Sequence, residues 1–594
     1  MKLAGIPASP GIVIGPIFVY TPPKPEITQA SIAAEQAPAE WRRLEVALGQ
    51  ARDQITEIRD NTARRLSVDE AAIFDAHLLI LEDEELLKAM RERIFERHEN
   101  AETASWEAMK AFRDLLLEID DEYLRARSAD LHDIAGRVLS CLQGNHENAF
   151  SALNAPSVIV ARDLMPSDTA GLDLALVLGL VTEEGGRTSH TAIIARQLNL
   201  PAVVGARGLL EAIQQSATEP VGSIMVAIDG AEGTVDVAPD DATVTYYETQ
   251  QRAFSEYQRQ LANLATLPCV TRDGHTIELL ANAGTLQTAT EAAKRGAEGI
   301  GLFRTEFLFL ERNSAPTEDE QTEVYLTAAQ SFPRGYVIVR TLDIGGDKNV
   351  PYLRQEPEAN PFLGLRGLRL CLAPHFIPVF KTQLRALLRA AVRGANLRIM
   401  FPMVNDVGEV RQARAMLRQA AEELEGEGIA AISALERLPV GAMIETPTAA
   451  YTTDLLAAEC DFFSIGTNDL TQYMLAVDRL NTAVAPLYDS FAPGVLRALY
   501  AAVSGAHNKG RKIGMWGEMA GDPRATPLLL GIGLDEFSMS AQALPEVKHI
   551  VRLCSQTEAR NIVAKAYSLS TATEVAQMLK ATIEELRTLN AAPI

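Results

Sequence analysis

The chain has 594 residues, too many for one ordinary hydrophobic core, so about three to four domains are expected. Hydrophobic residues make up 47% and charged residues 22%, which excludes wholesale disorder. A formal net charge of −23 argues against nucleic acid or an anionic membrane as the main partner. It permits a basic protein partner, although acidity that only keeps the chain soluble explains the same number.

The first twenty residues, with GIVIGPIFVY, read as strands. The N-terminal MKLAGIPASPGIVIG is rich in Pro and Gly and unlike a signal peptide. From about Ala33 to Gln143 the pattern is helical, with apolar positions at spacings of three and four, as in WRRLEVALGQARDQITEI. Within it VDEAAIFDAHLLILEDEELLKAMRERI is amphipathic with an acidic middle. Strand-like segments return at PSVIVARDL and LALVLGLV. The simplest account is a small α/β domain interrupted by a helical insertion, resuming near Ala155 and ending near Val237.

From Asp240 to Leu264 one long helix is expected as a linker. Beyond it apolar strand candidates recur, most followed by helical stretches: IELLANA, GIGLFRTE, VIVRTLDI, LRIMFPMV, VGAMIET, FFSIG, KIGMWGE and EFSMS. That series matches a (β/α)₈ barrel, with a doubly wound open sheet as the alternative. The strand number and the lack of a Gly-x-Gly-x-x-Gly turn favour the barrel. The cysteines, Cys141, Cys269, Cys371, Cys460 and Cys554, form no C-x-x-C pair and are expected to be reduced thiols of a cytoplasmic protein. No stretch approaches the ~18 continuous apolar residues of a membrane span.

Two places carry chemistry. In GGRTSHTAIIARQL, the glycines Gly185 and Gly186 allow a turn most residues cannot make, and helical spacing from Thr191 puts His190 at a helix N-terminus. That end favours a phosphate, and a neutral imidazole there can attack phosphorus, with Arg187, Thr188 and Ser189 as donors to the phosphoryl oxygens. A histidine that merely caps a helix is the other reading. The second place is the strand ends, where function sits in a (β/α)₈ barrel. Arg304, Glu306, Arg340, Asp343, Glu445, Asn468 and Asp469 fall there, with Lys348, Arg366 and Arg479 in the loops. Several arginines with two carboxylates point to an anionic substrate held through a metal, with Glu445 and Asp469 as hard oxygen ligands for Mg²⁺. Ion pairs that only close the barrel mouth are the alternative.

The motifs GGRTSHTAIIAR, GLFRTEFLF, RTLDIGGDK, NPFLGLRG, MIETP, FFSIGTNDLTQY and GEMAGDP, in that order, closely resemble enzyme I of the bacterial phosphoenolpyruvate-dependent sugar phosphotransferase system, over nearly the whole chain. The resemblance implies a swivelling phosphohistidine α/β domain over residues 1–32 and 144–238. It implies an insertion at 33–143 that binds the carrier protein HPr, a helical linker at 239–265 and a phosphoenolpyruvate-binding TIM barrel at 266–594. It implies that His190 accepts the phosphoryl group beside Thr169, with Arg187 in support. Arg304, Arg340, Arg366, Lys348, Asn468, Asp469 and Arg479 would meet phosphoenolpyruvate. Glu445 and Asp469 would ligate Mg²⁺. Glu70, Glu85 and Arg127 fall on the segments resembling the carrier-docking surface. A homodimer through the barrel is implied as well. Pyruvate phosphate dikinase and phosphoenolpyruvate synthase share the histidine and barrel domains, but each also carries a nucleotide-binding domain for which this chain has no room.

The sequence departs from the family at one place. The family strand reads G-M-C-G-E, its cysteine protonating the enolate left when phosphate departs; here the position is Trp516, between Met515 and Gly517. A thiol donates a proton near neutral pH, whereas an indole N–H is no usable acid. Two functions follow: a working phosphotransferase with a substitute proton donor or a reduced rate, or an impaired or regulatory docking protein that exchanges phosphate with HPr through His190.

Overall fold

In the computed structural model the chain divides into two units, Met1–Tyr257 and Gln258–Ile594. The structure describes residues 1–21, 27, 30–65, 68–118, 128–144, 150, 152–170, 172–186, 189–198, 200–216, 224–310, 312, 314–345, 350, 352–353, 358–481 and 483–589.

The first unit is built on β1 (Lys2–Ala4), β2 (Ile6–Ser9), β3 (Ile12–Val19), β4 (Ser157–Ala161), β5 (Val177–Thr182), β6 (Ala202–Val204), β7 (Met225–Asp229) and β8 (Thr234–Val237). They form one sheet in the order β1-β8-β7-β3-β4-β5-β6-β2. Its middle pairs, β3–β4, β4–β5 and β5–β6, are parallel. Every residue of β4 is buried, as a strand covered on both faces requires. Val158 and Val160 face one core with Val181 and Val203, while Ile159 and Ala161 face the other with Leu180 and Ala202, the period of two that a pleat imposes. The helix His190–Leu198 covers the second face through Ala192 and Ala195, and the helix Leu209–Ser216 covers the first through Leu209, Ala212 and Ile213.

Between β3 and β4 lie the helices Ala37–Arg65, Val68–Leu81, Glu84–Phe95, Ala101–Glu118 and Ser128–Leu142. Leu44, Ala47, Ala51 and Ile55, spaced by three and four, join Leu86, Met90 and Ile94 and then Ile134, Val138 and Leu139 in a separate core. The segment expected as one amphipathic helix from Val68 is cut at Asp83. Its carboxylate accepts the Leu86 N–H at 2.9 Å and caps a new helix whose first turn holds Glu84 and Glu85.

The long helix spans Asp241–Asn263. In the second unit β9 (Glu278–Ala283), β10 (Ile300–Phe303), β11 (Val337–Arg340), β12 (Leu397–Phe401), β13 (Val440–Ile444), β14 (Phe462–Gly466), β15 (Lys512–Trp516) and β16 (Glu536–Met539) are all parallel and close into a barrel. Closure removes the open doubly wound sheet as an alternative. Outward residues such as Val337, Val339, Ile399, Ile513 and Phe537 join one large core under the surrounding helices. Leu302, Ile338, Met400, Met443, Phe462 and Trp516 fill the interior. At the N-terminal ends of the strands the floor is polar. The Tyr336 hydroxyl donates to Glu278 at 2.5 Å and lies 3.0 Å from a Glu536 carboxyl oxygen, and Lys512 donates to Glu278 at 2.7 Å.

Candidate active site

In the first unit the chain turns at Gly185, whose φ of +103° lies where an L side chain is strained. Ser189 then precedes the helix His190–Leu198, and its hydroxyl oxygen accepts the Ala192 N–H at 3.4 Å. His190 therefore occupies the first helical position, and its ring is only half buried. Thr169 Oγ1 lies 3.2 Å from His190 Nε2. The Thr169 hydroxyl also donates to the Pro166 carbonyl at 2.9 Å. Desolvation pushes the imidazole pKa down to about 4, against an upward pull from the Asp130 and Asp133 carboxylates. A ring so placed is neutral at physiological pH and keeps a lone pair for attack on phosphorus. Arg187 lies outside the described residues.

In the second unit the C-terminal strand ends gather the polar side chains. Arg340, the last residue of β11, is buried and donates to Glu306 at 2.9 Å, with Asp343 at 3.0 Å from its other terminal nitrogen. Arg366 reaches Asp343 at 3.2 Å and Asp469 at 3.4 Å. Arg479 stands 3.7 Å from Asp469. Burial pulls the Arg340 pKa down, but Glu306, Asp343, Glu445 and Asp469 outweigh it and raise it, so the guanidinium stays charged. Arg304 follows β10 and is exposed at the same end. Asn468 and Asp469 lie in the first turn of the helix Thr467–Leu475, and the Asn468 carbonyl accepts the Tyr488 hydroxyl at 3.1 Å. Arg304, Arg340, Arg366, Asn468, Asp469 and Arg479 thus share one barrel end, whereas Lys348 lies outside the described residues.

Glu445 is fully buried just past β13. One carboxylate oxygen accepts the Met403 N–H at 2.6 Å, and Oε2 has no partner. Desolvation first, then the Asp469 and Asp343 charges, push its pKa up, against Arg340 and Arg366. A bare buried carboxylate oxygen close to a second carboxylate is a costly arrangement that a divalent cation relieves. Among the described residues no three His, Cys, Asp or Glu side chains form a closed metal cage. Two carboxylates with water and substrate oxygens are nevertheless a donor set that suits Mg²⁺, so the residues fit that ion.

Trp516 closes β15 and is 3% exposed. Its indole N–H has no acceptor, and the guanidinium carbons of Arg304 and Arg340 each lie 5.7 Å from its ring centre. A Cβ on Gly466 would stand 2.6 Å from Glu445 Oε2 and 3.1 Å from the indole, so only glycine lets both approach. The five cysteines are all buried and free, and none belongs to the barrel-interior cluster. Cys371, the nearest in sequence to this network, donates to the Leu342 carbonyl at 3.4 Å and packs in the outer core.

On the insertion Glu85 is exposed in a first helical turn, while the Glu70 side chain and Arg127 lie outside the described residues. Tyr20, Asp133, Ser167 and Asp168, which are bonded to one another about the short helix that carries Thr169, were not among the expected site residues. Nothing in their spacing marks them, because they come from three separate stretches.

The chain matches the family described as PEP-utilising enzyme, PEP-binding domain, over residues 258–556. It also matches the N-terminal and mobile domains of PEP-utilising enzymes over 4–127 and 153–233. It is 42% identical over 581 residues to the phosphoenolpyruvate-protein phosphotransferase of Priestia megaterium, covering 98% of this chain and 99% of that one. It is 42% identical over 583 residues to that of Bacillus subtilis, covering 98% and 100%. With the Geobacillus stearothermophilus protein of the same name it shares 43% identity over 578 residues, covering 97% of each. The chain belongs to the phosphoenolpyruvate-protein phosphotransferase, or enzyme I, family.

Proposed function

We propose that this chain takes the phosphoryl group of phosphoenolpyruvate onto His190 and passes it to a small HPr-type carrier, the first step of sugar uptake by the phosphotransferase system. The observation that carries the reading is the barrel mouth, where Arg304, Arg340, Arg366 and Arg479 converge around the buried carboxylates Glu445 and Asp469. Guanidinium groups bind phosphate and carboxylate together, and phosphoenolpyruvate carries both. A ring nitrogen of His190 forms the new bond to phosphorus while the bond to the enol oxygen breaks. The enolate then takes a proton at its methylene carbon and leaves as pyruvate. Glu445 and Asp469 would hold Mg²⁺, which when bound neutralises phosphoryl charge.

In this reading residues 1–32 and 144–238 carry the phosphohistidine, 33–143 dock the carrier, 239–265 link, and 266–594 bind phosphoenolpyruvate. The exposed Leu79, Leu115 and Glu85 support docking on the insertion. The exposed Tyr451, Leu455 and Tyr500 support a homodimer through the barrel. No helix among the described residues is long and apolar enough to cross a membrane, which agrees with work in the cytoplasm. The test is transfer to an HPr-type carrier in the presence of phosphoenolpyruvate and Mg²⁺. Phosphorylated carrier is expected with the wild-type chain and not with His190→Ala; label that persists in His190→Ala overturns the reading.

Trp516 favours a second reading of the same site. With an indole where the family has a thiol, and no cysteine in the barrel-interior cluster, turnover of phosphoenolpyruvate would be slow while exchange between His190 and the carrier stays intact. The working phosphotransferase is the assignment here, since the neighbouring side chains suit the substrate.

A further inference from the structure

Thr169, the partner of His190, rides on the helix Pro166–Ala170, which spans only five residues. A helix that short cannot hold itself, so its position is set from outside. Asp168 accepts the Met165 N–H at 2.9 Å and the Tyr20 hydroxyl at 2.5 Å. The Tyr20 ring in turn stacks on Phe150 with centroids 4.7 Å apart. A second hold comes from Asp133, on the insertion helix Ser128–Leu142. Its two carboxylate oxygens accept the Ser167 hydroxyl at 2.6 Å and the Ser167 N–H at 3.4 Å. That pair caps the first turn of the short helix, two residues before Thr169.

The Thr169 hydroxyl proton is engaged by the Pro166 carbonyl, so Oγ1 turns its lone pairs to Nε2 of His190. The neutral ring then carries its proton on Nε2, and a shift of the helix would release it. We infer that Asp133 is a positioning residue for His190: it pins the helix Pro166–Ala170 from the insertion and so sets Thr169 against the imidazole. The insertion thus takes part in the phosphoryl chemistry as well as in docking. This inference rests on His190 as the phosphoryl acceptor.

The test uses the full chain, with Asp133→Ala, Ser167→Ala, Thr169→Val and the double variant Asp133→Ala/Thr169→Val. The first readout is the imidazole ¹⁵N spectrum of His190 without any phosphoryl donor, assigned by its loss in His190→Gln. The second is the initial rate at which phosphorylated HPr labels His190. Asp133→Ala and Thr169→Val are each expected to move the His190 nitrogen shifts in the same direction and to slow labelling at least about threefold. The double variant is expected to be no slower than Thr169→Val alone, because Asp133 acts through Thr169. Multiplying effects, or His190 shifts unmoved in a folded Asp133→Ala, would overturn the inference. Ser167→Ala removes the same hydroxyl contact while keeping the Asp133 charge that also acts directly on the imidazole, and it must show the same shift whether or not Asp133→Ala folds. Absence of label in the wild-type chain would strike the acceptor reading instead, and the donor-free spectrum would still decide the positioning.

Discussion

At the scale of single residues Trp516 and His190 decide the proposed chemistry. The indole has two guanidinium groups within 5.7 Å of its ring centre and can neither ionise nor protonate carbon in the way a thiol does. Restoring the thiol with Trp516→Cys should raise pyruvate formation by ~10²-fold in a steady-state assay. An unchanged rate would mean that another group already protonates the enolate. His190 makes a pH prediction. The unfolded imidazole takes its proton near 6.5, the folded one only near about 4, so the unfolded state binds more protons between these values. Its contribution to stability is therefore constant above that window and turns unfavourable as pH falls through it. Labelling of His190 by phosphorylated HPr should hold level from pH 8 to about 5 if the ring stays neutral, as an NMR titration of the ring would record. Trp516 was legible in the sequence because the residues around it match a motif. The orphaned oxygen of Glu445 was not, since it depends on which neighbours fold around it.

At the scale of elements the strand ends divide the labour. C-terminal ends hold the arginines and carboxylates of the mouth, and N-terminal ends hold the floor of Glu278, Tyr336, Lys512 and Glu536. Glu536 is buried, and desolvation pushes its pKa from 4.5 up to about 7. The fold retains that proton where the unfolded chain has released it, so stability falls as pH rises from about 4.5 to about 7. Glu536→Gln keeps an acceptor for Tyr336 and should raise the melting temperature at pH 8 relative to wild type, with little change at pH 4.5. Just past β15, Gly517 has φ +123°, and a Cβ there would stand 2.3 Å from Thr467 Oγ1. Gly517→Ala should cost about 1–3 kcal/mol in denaturant unfolding and disturb the start of the helix Thr467–Leu475, which bears Asn468 and Asp469. All eight barrel strands were legible as apolar runs, most of them before helical stretches. The break at Asp83 was not, because a capping carboxylate inside a run of acidic residues looks like one more charge on a helix face.

At the scale of the whole molecule the two halves of the proposed phosphoryl relay respond differently to metal. Chelation of Mg²⁺ should abolish labelling of His190 by phosphoenolpyruvate yet leave labelling by phosphorylated HPr intact, because the carboxylates that suit the ion belong to the barrel alone. The succession of a sheet interrupted by helices, one long helix and then the barrel strands could be read from periodicity, which changes from two to 3.6 and back along the chain. The dependence of Thr169 on Asp133 and Tyr20 could not, since only folding brings those stretches together. The measurement that tests the central claim most directly is the intact mass of the chain after mixing with phosphoenolpyruvate and Mg²⁺, beside His190→Ala. A gain of one phosphoryl group, absent from the His190→Ala chain, is the result expected of a barrel that delivers phosphate past Trp516. No gain, in a chain that phosphorylated HPr still labels at His190, would contradict that claim and leave a phosphate exchanger silenced at the barrel.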